Sequence, residues 1–95
     1  MKMPRSTPYY QRGNSANAVM VEMDNVTLWF SYSTLVAFHV EGQRRVVHEN
    51  QWGPTTGKHL NAIDGGTKEA KANRVKEAEF HQLWQEQMGC VALTQ

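Results

Sequence analysis

Residues 26–40 read VTLWFSYSTLVAFHV, and apolar side chains occupy every second position in both halves of this stretch. This alternation is typical of β-strands that bury one face, because successive side chains of a strand point to opposite sides. The pair Ser33-Thr34 between the two halves is a weak break. The stretch therefore predicts two consecutive strands joined by a tight connection.

The segments on either side extend this pattern into a sheet. Upstream, Val19, Val21 and Met23 share one face of a further strand, with Met20 and Glu22 on the other. Downstream, residues 41–43 (EGQ) indicate a turn, and residues 44–50 (RRVVHEN) return as a further strand. Short strands with tight connections favour an antiparallel meander, here of three or four strands.

Helical periodicity is clearest near the C-terminus, where large side chains recur at the three- and four-residue spacing of an amphipathic helix. With Lys76 as its N-cap, this helix is expected to end at Gly89 in a left-handed conformation. One helix beside a meander predicts a two-layer α+β domain, which we assign to residues 18–95. The residues of the helical stripe are Phe80, Leu83, Trp84, Gln87 and Met88.

Residues 1–17 lack such periodicity and contain two prolines, one glycine, two serines and two asparagines. This composition predicts a flexible N-terminal arm. Basic residues flank Tyr9-Tyr10 within it, a pattern that suits stacking on nucleic-acid bases or docking on a partner subunit. We favour the simpler interpretation of a frayed terminus.

The composition limits the class of protein. A chain of 95 residues forms one domain, and a net charge of +1 does not require a polyanionic partner. The single cysteine, Cys90, excludes an intramolecular disulfide and a zinc site built on several thiolates. No secretory signal is recognisable, and no stretch approaches the roughly 20 apolar residues that span a bilayer. We therefore expect a cytoplasmic protein.

Residues 53–59 (GPTTGKH) partly match a phosphate-binding loop. Such a loop needs four residues between its glycines, but Gly53 and Gly57 are separated by three. The lysine should be followed by a Ser or Thr that holds magnesium, and His59 stands there instead. These loops also belong to parallel α/β sheets, whereas this chain indicates an antiparallel one. The match therefore does not indicate a nucleotide site.

The same residues instead predict the start of a helix. The hydroxyl of Thr55 or Thr56 would cap a helix that begins within two residues of Gly57, and the later DGG sequence would stop it. A functional alternative remains, because a helix N-terminus flanked by Lys58 and His59 suits an anion such as a nucleic-acid phosphate. We favour the structural role, since caps are far commoner than ligand sites.

The histidines and the cysteine form no recognisable catalytic or metal motif. No HxH, HExxH or CxxC spacing occurs. His39 and His48 lie on consecutive predicted strands and face each other only if the connecting turn has four residues. No acid, base and nucleophile are placed together, so we predict neither an enzyme nor a metal or other cofactor.

Aromatic and basic residues of the predicted sheet form a second candidate surface. Trp29 falls on the polar face of its strand, opposite Leu28 and Phe30, which indicates cover by another element or an interface. If this set shares one face, it would bind single-stranded nucleic acid; otherwise its aromatic members belong to the core. The set consists of Trp29, Tyr32, Phe38, Trp52, Arg44 and Arg45.

Three segments, TLWFSYSTLVAFHV, ENQWGPTTGKHLNAID and RVKEAEFHQL, resemble a family of small uncharacterised proteins, a domain of unknown function in phage, archaeal and environmental genomes. The resemblance covers about residues 26–84, and its most specific part is N-x-W-x-x-T-T-G-K-H-L-N, beginning at Asn50. No activity is established for that family. The resemblance therefore implies a phage or microbial cytoplasmic setting but no catalytic residue.

These observations favour a small non-enzymatic binding module whose partner is a nucleic acid or a protein. The alternative is a structural or accessory homo-oligomer without a ligand. We also expect a homodimer, because a small domain buries little surface and one helix would leave the face with Trp29 uncovered. The apolar residues 90–93 would pair along a sheet edge. Cover by the N-terminal arm is the competing explanation.

We expect no binding of ATP or GTP at millimolar concentration, because the loop is one residue short and lacks the magnesium-binding hydroxyl. Isothermal titration calorimetry with and without Mg²⁺ measures this, with Lys58→Ala as the control variant. Saturable, magnesium-dependent binding that Lys58→Ala abolishes would contradict the prediction.

Overall fold

The computed structural model describes residues 5–10 and 17–93. Within these residues it contains five strands and three helices. No helix in this part of the chain is long and apolar enough to cross a membrane. The strands are β1 (Arg5–Pro8), β2 (Ala18–Glu22), β3 (Val26–Ser31), β4 (Thr34–Val40) and β5 (Val46–Val47), and the helices are α1 (Pro54–Asp64), α2 (Lys68–Ala72) and α3 (Glu77–Leu93).

The strands form one antiparallel meander in the order β1-β2-β3-β4-β5. The predicted α+β class, with an antiparallel sheet and a C-terminal helix, is confirmed. The described sheet has five strands rather than three or four, because β1 pairs with β2 and places Arg5 opposite Glu22. This strand lies inside the predicted N-terminal arm, whose residues 1–4 and 11–16 fall outside the described ones.

The last strand is shorter than the predicted run of residues 44–50. Only β5 pairs with β4, after which His48 forms a parallel bridge to Val75. The N–H of Val75 donates to the Val47 carbonyl at 2.9 Å, and the N–H of Glu49 donates to the Val75 carbonyl at 2.8 Å. The segment that leads into α3 is therefore fastened to this edge of the sheet.

An irregularity in β4 decides which side chains face which helix. Trp29 pairs with Ala37 while Phe30 pairs with Leu35, so Val36 is an extra residue, a β-bulge. Because of the bulge, Val36 and Ala37 both belong to the core on one side of the sheet, and Leu35 packs against the core on the other. Strict alternation along β4 would not place them so.

Both faces of the sheet are covered, so the molecule has three layers where two were expected. On one face, the rings of Phe80 and Trp84 in α3 each pack edge-to-face on Phe38, with centroids 5.2 Å apart. On the opposite face, Leu60 and Ile63 of α1 pack against β4 and β5. The two-layer expectation is wrong because α1, with few apolar residues, resembles a connecting helix in the sequence although it covers a face.

Trp29 lies on the α1 side of the sheet, where it packs half-buried against the same core as Tyr9. The face that carries Trp29 is thus covered from within the chain. This corrects the argument that the face needs a second copy of the chain, and it agrees with the competing explanation of cover by the N-terminal segment.

Helix α1 begins at Pro54, earlier than the sequence indicated. Its N-cap is Gly53, and proline is tolerated in the first turn because its missing N–H has no partner there. No side chain caps the helix. Thr55 is exposed and Thr56 is buried, so the predicted threonine cap is wrong.

Helix α3 begins at Glu77, directly after Lys76 as expected, but it continues through Gly89 to Leu93. Glycine permits a left-handed conformation without imposing it. Residues 90–93 (CVAL) contain no proline or other turn-forming residue that would end the helix. The predicted pairing of residues 90–93 along a sheet edge is therefore wrong.

A buried ion pair closes the connection between α1 and the bridge at Val75. The expected stop is confirmed, since α1 ends at Asp64 and Gly65 adopts a left-handed φ of 90°. Arg74 donates to the two Asp64 carboxylate oxygens at 2.8 and 2.9 Å, and the two side chains are 6% and 7% exposed. Burial tends to raise the pKa of Asp64, but the hydrogen bonds from Arg74 and the Gly66 N–H hold it below its usual value.

We expect Arg74→Ala to lower the free energy of unfolding by about 3 kcal/mol, because Asp64 is left buried and unpaired. Urea denaturation at neutral pH measures the loss. Lys71→Ala is the matched control, since Lys71 is exposed on α2 and its removal should change stability by less than about 0.5 kcal/mol. Equal stabilities of the two variants would rule out a structural role for the ion pair.

Candidate functional site

Three polar side chains meet between β3 and α1. The hydroxyl of Ser31 lies 2.7 Å from Nδ1 of His59 and 3.0 Å from Oγ1 of Thr56. The exposed fractions of Ser31, His59 and Thr56 are 2%, 2% and 7%. Thr56 and His59 are three residues apart on α1 and therefore share its inner face. The helix thus places both beside the end of β3.

Three tyrosines surround the ring of His59. The ring centroids of Tyr10, Tyr32 and Tyr9 lie 5.0, 5.9 and 6.3 Å from that of His59. The Tyr9 hydroxyl donates to the Phe30 carbonyl at 2.8 Å, which anchors the N-terminal segment on β3. Burial lowers the pKa of His59 and raises the pKa of Tyr9.

This cluster has the atoms of a Ser–His pair without the accessibility of a catalytic one. A serine nucleophile must reach its substrate, and Ser31 is only 2% exposed. Its second hydrogen bond joins it to Thr56, so both polar contacts of Ser31 lie inside the protein. In catalytic triads a carboxylate accepts from Nδ1 of the histidine, whereas here the Ser31 hydroxyl lies at Nδ1 of His59. The geometry supports a structural role, which is to hold α1 on the sheet.

Asn50 shapes the loop that precedes α1. Its Oδ1 accepts from the N–H groups of Trp52 and Gly53 at 3.0 and 3.2 Å, and its Nδ2 donates to the Gly53 carbonyl at 2.9 Å. A Cβ at Gly57 would lie 2.9 Å from Asn50 Nδ2, so the asparagine lies against the helix where glycine leaves room. This packing gives Gly57 a structural reason and fixes the backbone of Trp52.

The residues of the TTGKH sequence divide between the two sides of α1. Thr56 and His59 face the core, whereas Thr55 and Lys58 are exposed. The predicted anion site at this helix N-terminus counted both Lys58 and His59 as cationic groups. Because His59 is buried with a lowered pKa, the anion-binding alternative loses one of its two cationic groups.

An apolar groove opens on the other face of the sheet, between α3 and the start of β4. Its volume is about 280 Å³ and its walls are largely aromatic. Trp52 lines it while remaining 39% exposed. We name it the Trp52 groove, and its lining residues are Thr34, Leu35, His48, Trp52, Glu77, Phe80, His81 and Trp84.

His48 is held rigidly in the wall of the Trp52 groove. Its ring centroid lies 4.7 Å from that of Trp52 and 5.0 Å from that of Phe80. Its Nδ1 donates to the Glu49 carbonyl at 2.7 Å. In a neutral ring this bond fixes the tautomer and makes Nε2 the hydrogen-bond acceptor. The groove therefore contains a preoriented histidine.

The aromatic and basic residues predicted to share one surface are not brought together. Phe38 is fully buried beneath α3, and Trp29 lies on the opposite, α1 side. Trp52 lines the groove on the α3 side. The guanidinium carbon of Arg45 lies 5.9 Å from the centroid of the Trp29 ring, and Arg44 is exposed in the turn before β5. The predicted single-strand-binding surface is therefore not formed.

The histidines are not arranged as a metal site. His39 and His48 do not lie opposite each other, because the β4–β5 register pairs Phe38 with Val46. Among the described residues, no group of three or more His, Cys, Asp or Glu side chains is placed to hold a metal ion.

Sequence reasoning missed the residues that complete both sites. Ser31 is one of several polar positions on β3, and Tyr9 falls in the predicted arm. Glu77 and His81 enter the Trp52 groove from α3. Their spacing of four residues indicates a shared helix face, but nothing in the sequence places that face beside Trp52.

The model of one protein family matches residues 5–82, and its description is "Family of unknown function (DUF8033)". The match includes β1 and so begins earlier than the resemblance over residues 26–84. No curated protein and no solved structure matches the chain.

We expect the protein to lose stability as the pH falls from about 7 to about 5, because His59 is buried in its neutral form. Burial lowers its pKa below 6.5. Below that pH the unfolded chain binds a proton that the folded chain excludes, so the stabilising contribution, complete at higher pH, is lost as the pH approaches the pKa of the folded state.

Urea unfolding at a series of pH values measures this dependence. His59→Gln should flatten the curve of unfolding free energy against pH, whatever its effect on absolute stability. His81→Gln is the matched control, since His81 is exposed and its substitution should leave the slope unchanged. A slope in His59→Gln equal to that of the wild type would show that His59 is not responsible.

Proposed function

We propose that this chain, which belongs to the family of unknown function DUF8033, is a non-enzymatic module that binds a partner protein at the Trp52 groove. One observation carries the proposal. Trp52 is a large aromatic side chain that remains 39% exposed while it lines an apolar groove. An aromatic side chain exposed at the edge of an apolar cleft is typical of places where a side chain of another molecule docks.

The lining of the groove supports a protein as the partner. Aromatic side chains are enriched at the centres of protein interfaces, where they fill or form pockets for an anchoring residue of the partner. Trp52 and Trp84 supply two such rings, and Leu35 adds aliphatic surface. His48 and Thr34 add a few polar atoms, which would orient a bound chain.

The rigidity of the groove wall also supports the proposal. Asn50 holds the backbone of Trp52 and Gly53 through three hydrogen bonds. His48 is only 3% exposed, and its ring packs against the Trp52 ring with the two centroids 4.7 Å apart. A binding surface that is already ordered loses less conformational entropy on association, which favours affinity.

Nucleic acid is the weaker alternative. Single-strand binding needs aromatic rings and basic groups along one groove. Here Arg45 lies near Trp29 on the α1 side, and no lysine or arginine lines the Trp52 groove. The net charge of +1 adds no general attraction to phosphates.

A homodimer remains the other alternative. Because the Trp29 face is covered, the remaining support for a homodimer is the outer edge of β1. This edge pairs with no further strand among the described residues. Three of the four residues of β1 are exposed, and an open edge is able to pair with a second copy. Pro8 lacks an N–H, however, which weakens such pairing.

The setting forms part of the proposal. A single cysteine fits a reducing cytoplasm. The phage or microbial origin that the resemblance implies would suit a small accessory protein that acts by binding, and the partner would then be a protein of the phage or its host.

A displayed peptide library, selected on the wild-type protein and counter-selected on Trp52→Ala, tests the proposal. We expect peptides that bind the wild type and lose at least about tenfold in affinity on Trp52→Ala, as truncation of a central aromatic contact does. Affinities are measured by calorimetry, and urea unfolding verifies that the variant remains folded. Met23→Ala is the matched control, because Met23 is 37% exposed and lies away from the groove.

Three results would contradict the proposal. One is a library without enrichment, and another is a set of peptides that bind Trp52→Ala as well as the wild type. The third is binding of single-stranded DNA with a steep salt dependence and no effect of Trp52→Ala, which would favour the nucleic-acid alternative. Light scattering tests the dimer: a mass near 10.8 kDa, unchanged on dilution, means a monomer.

A further inference from the structure

We infer that the Trp52 groove receives one cationic side chain, an arginine or a lysine, of its partner polypeptide. This inference rests on the proposed function and specifies the chemistry of what binds. It combines the aromatic lining of the groove, its charge and the fixed orientation of His48.

Aromatic rings form much of the groove lining, and their arrangement suits a cation. The faces of aromatic rings carry partial negative charge and attract cations placed within about 6 Å, and tryptophan does so most strongly. Trp52, Trp84 and Phe80 line one small groove, and the His48 ring lies between Trp52 and Phe80. An aliphatic stem that ends in a positive group suits this lining better than a wholly apolar side chain, because it uses the charge of the rings as well as their area.

The charge of the groove lining also favours a cationic occupant. Among the residues that line the groove, Glu77 alone belongs to the Asp, Glu, Lys and Arg class. Glu77 is exposed in the first turn of α3. A carboxylate beside aromatic rings, with no lysine or arginine to neutralise it within the lining, favours a positive occupant.

The hydrogen bonding of His48 favours an occupant that carries hydrogen-bond donors. Because its Nδ1 donates to the Glu49 carbonyl, the neutral ring offers Nε2 as an acceptor. An acceptor needs an N–H or O–H donor, and guanidinium and ammonium groups consist of donors. A carboxylate or phosphate of a partner would offer His48 no proton and would also be repelled by Glu77.

The size of the groove limits the occupant to a single side chain. Its volume of about 280 Å³ lies below the usual range of pockets that hold cofactors or drug-sized molecules. One long side chain fits this space, with the rest of the partner chain lying on the surface around it.

n-Butylguanidinium and n-butylurea form the first test, because they share length and shape and differ in charge. NMR titrations follow the indole N–H signals of Trp52 and Trp84. We expect n-butylguanidinium to shift both signals and to bind about three- to fivefold more tightly than n-butylurea, as cation–π contacts at accessible sites predict. Equal affinities, or shifts confined to other residues, would overturn the inference.

Glu77→Gln forms the second test. It should weaken binding of n-butylguanidinium about threefold and leave n-butylurea unchanged, since only the cation gains from the carboxylate. Glu79→Gln is the matched control, because Glu79 is exposed in the same helical turn and does not line the groove. An equal effect of Glu77→Gln and Glu79→Gln would reduce the contribution of Glu77 to general charge and overturn its assigned role.

The selected peptides separate failure of this inference from failure of the proposed function. Peptides that depend on Trp52 and share a basic residue, whose replacement by norleucine weakens binding, support both. Peptides that depend on Trp52 but carry no basic residue leave the groove as the docking site and overturn the cationic occupant. Peptides that do not depend on Trp52 overturn both.

Discussion

The residues 36–38 of β4 have no exposed surface at all, although they are consecutive in a strand. Consecutive strand residues point to opposite faces, so burial of all three requires cover on both sides of the sheet. Because of the bulge at Val36, the side chains of Val36 and Ala37 both face α1, whereas that of Phe38 faces α3. The positions of α1 and α3 follow from this one strand, and each helix brings one of the two sites with it.

The clearest sequence patterns predicted the elements that their own periodicity defines. The alternation of β3 and β4 and the apolar stripe of α3 correspond to the strands and the helix that the structure contains. The third layer was missed because α1 buries only Thr56, His59, Leu60 and Ile63, and half of these are polar. A polar side chain can be buried once it has a partner, and the partner of both Thr56 and His59 is Ser31, which lies 25 residues or more away in the chain. Periodicity does not report a hydrogen bond across such a distance.

The sequence indicated Trp52 as a candidate binding residue, but not the α3 residues that line the groove beside it. Trp52 and the TTGKH sequence are neighbours in the chain, and the sequence suggested that they act together. In the structure, Trp52 lines the groove beside α3, whereas His59 of α1 is buried against β3 on the other face of the sheet. Within the most specific sequence motif, Asn50, Thr56 and His59 thus make hydrogen bonds inside the protein. The groove depends on residues of α3 that are distant in sequence.

Unlike α1 and α3, helix α2 contributes no buried residue. The Asp64–Arg74 ion pair joins the two ends of the connection that contains α2, and the bridge between Val75 and His48 fastens its second end to the sheet. The residues between Gly66 and Asn73 therefore close a loop whose ends are fixed independently of its length. An insertion there would lengthen a loop at small entropic cost without reaching either core or the groove. This connection is consequently a place where a fluorophore or affinity tag can be built into the chain.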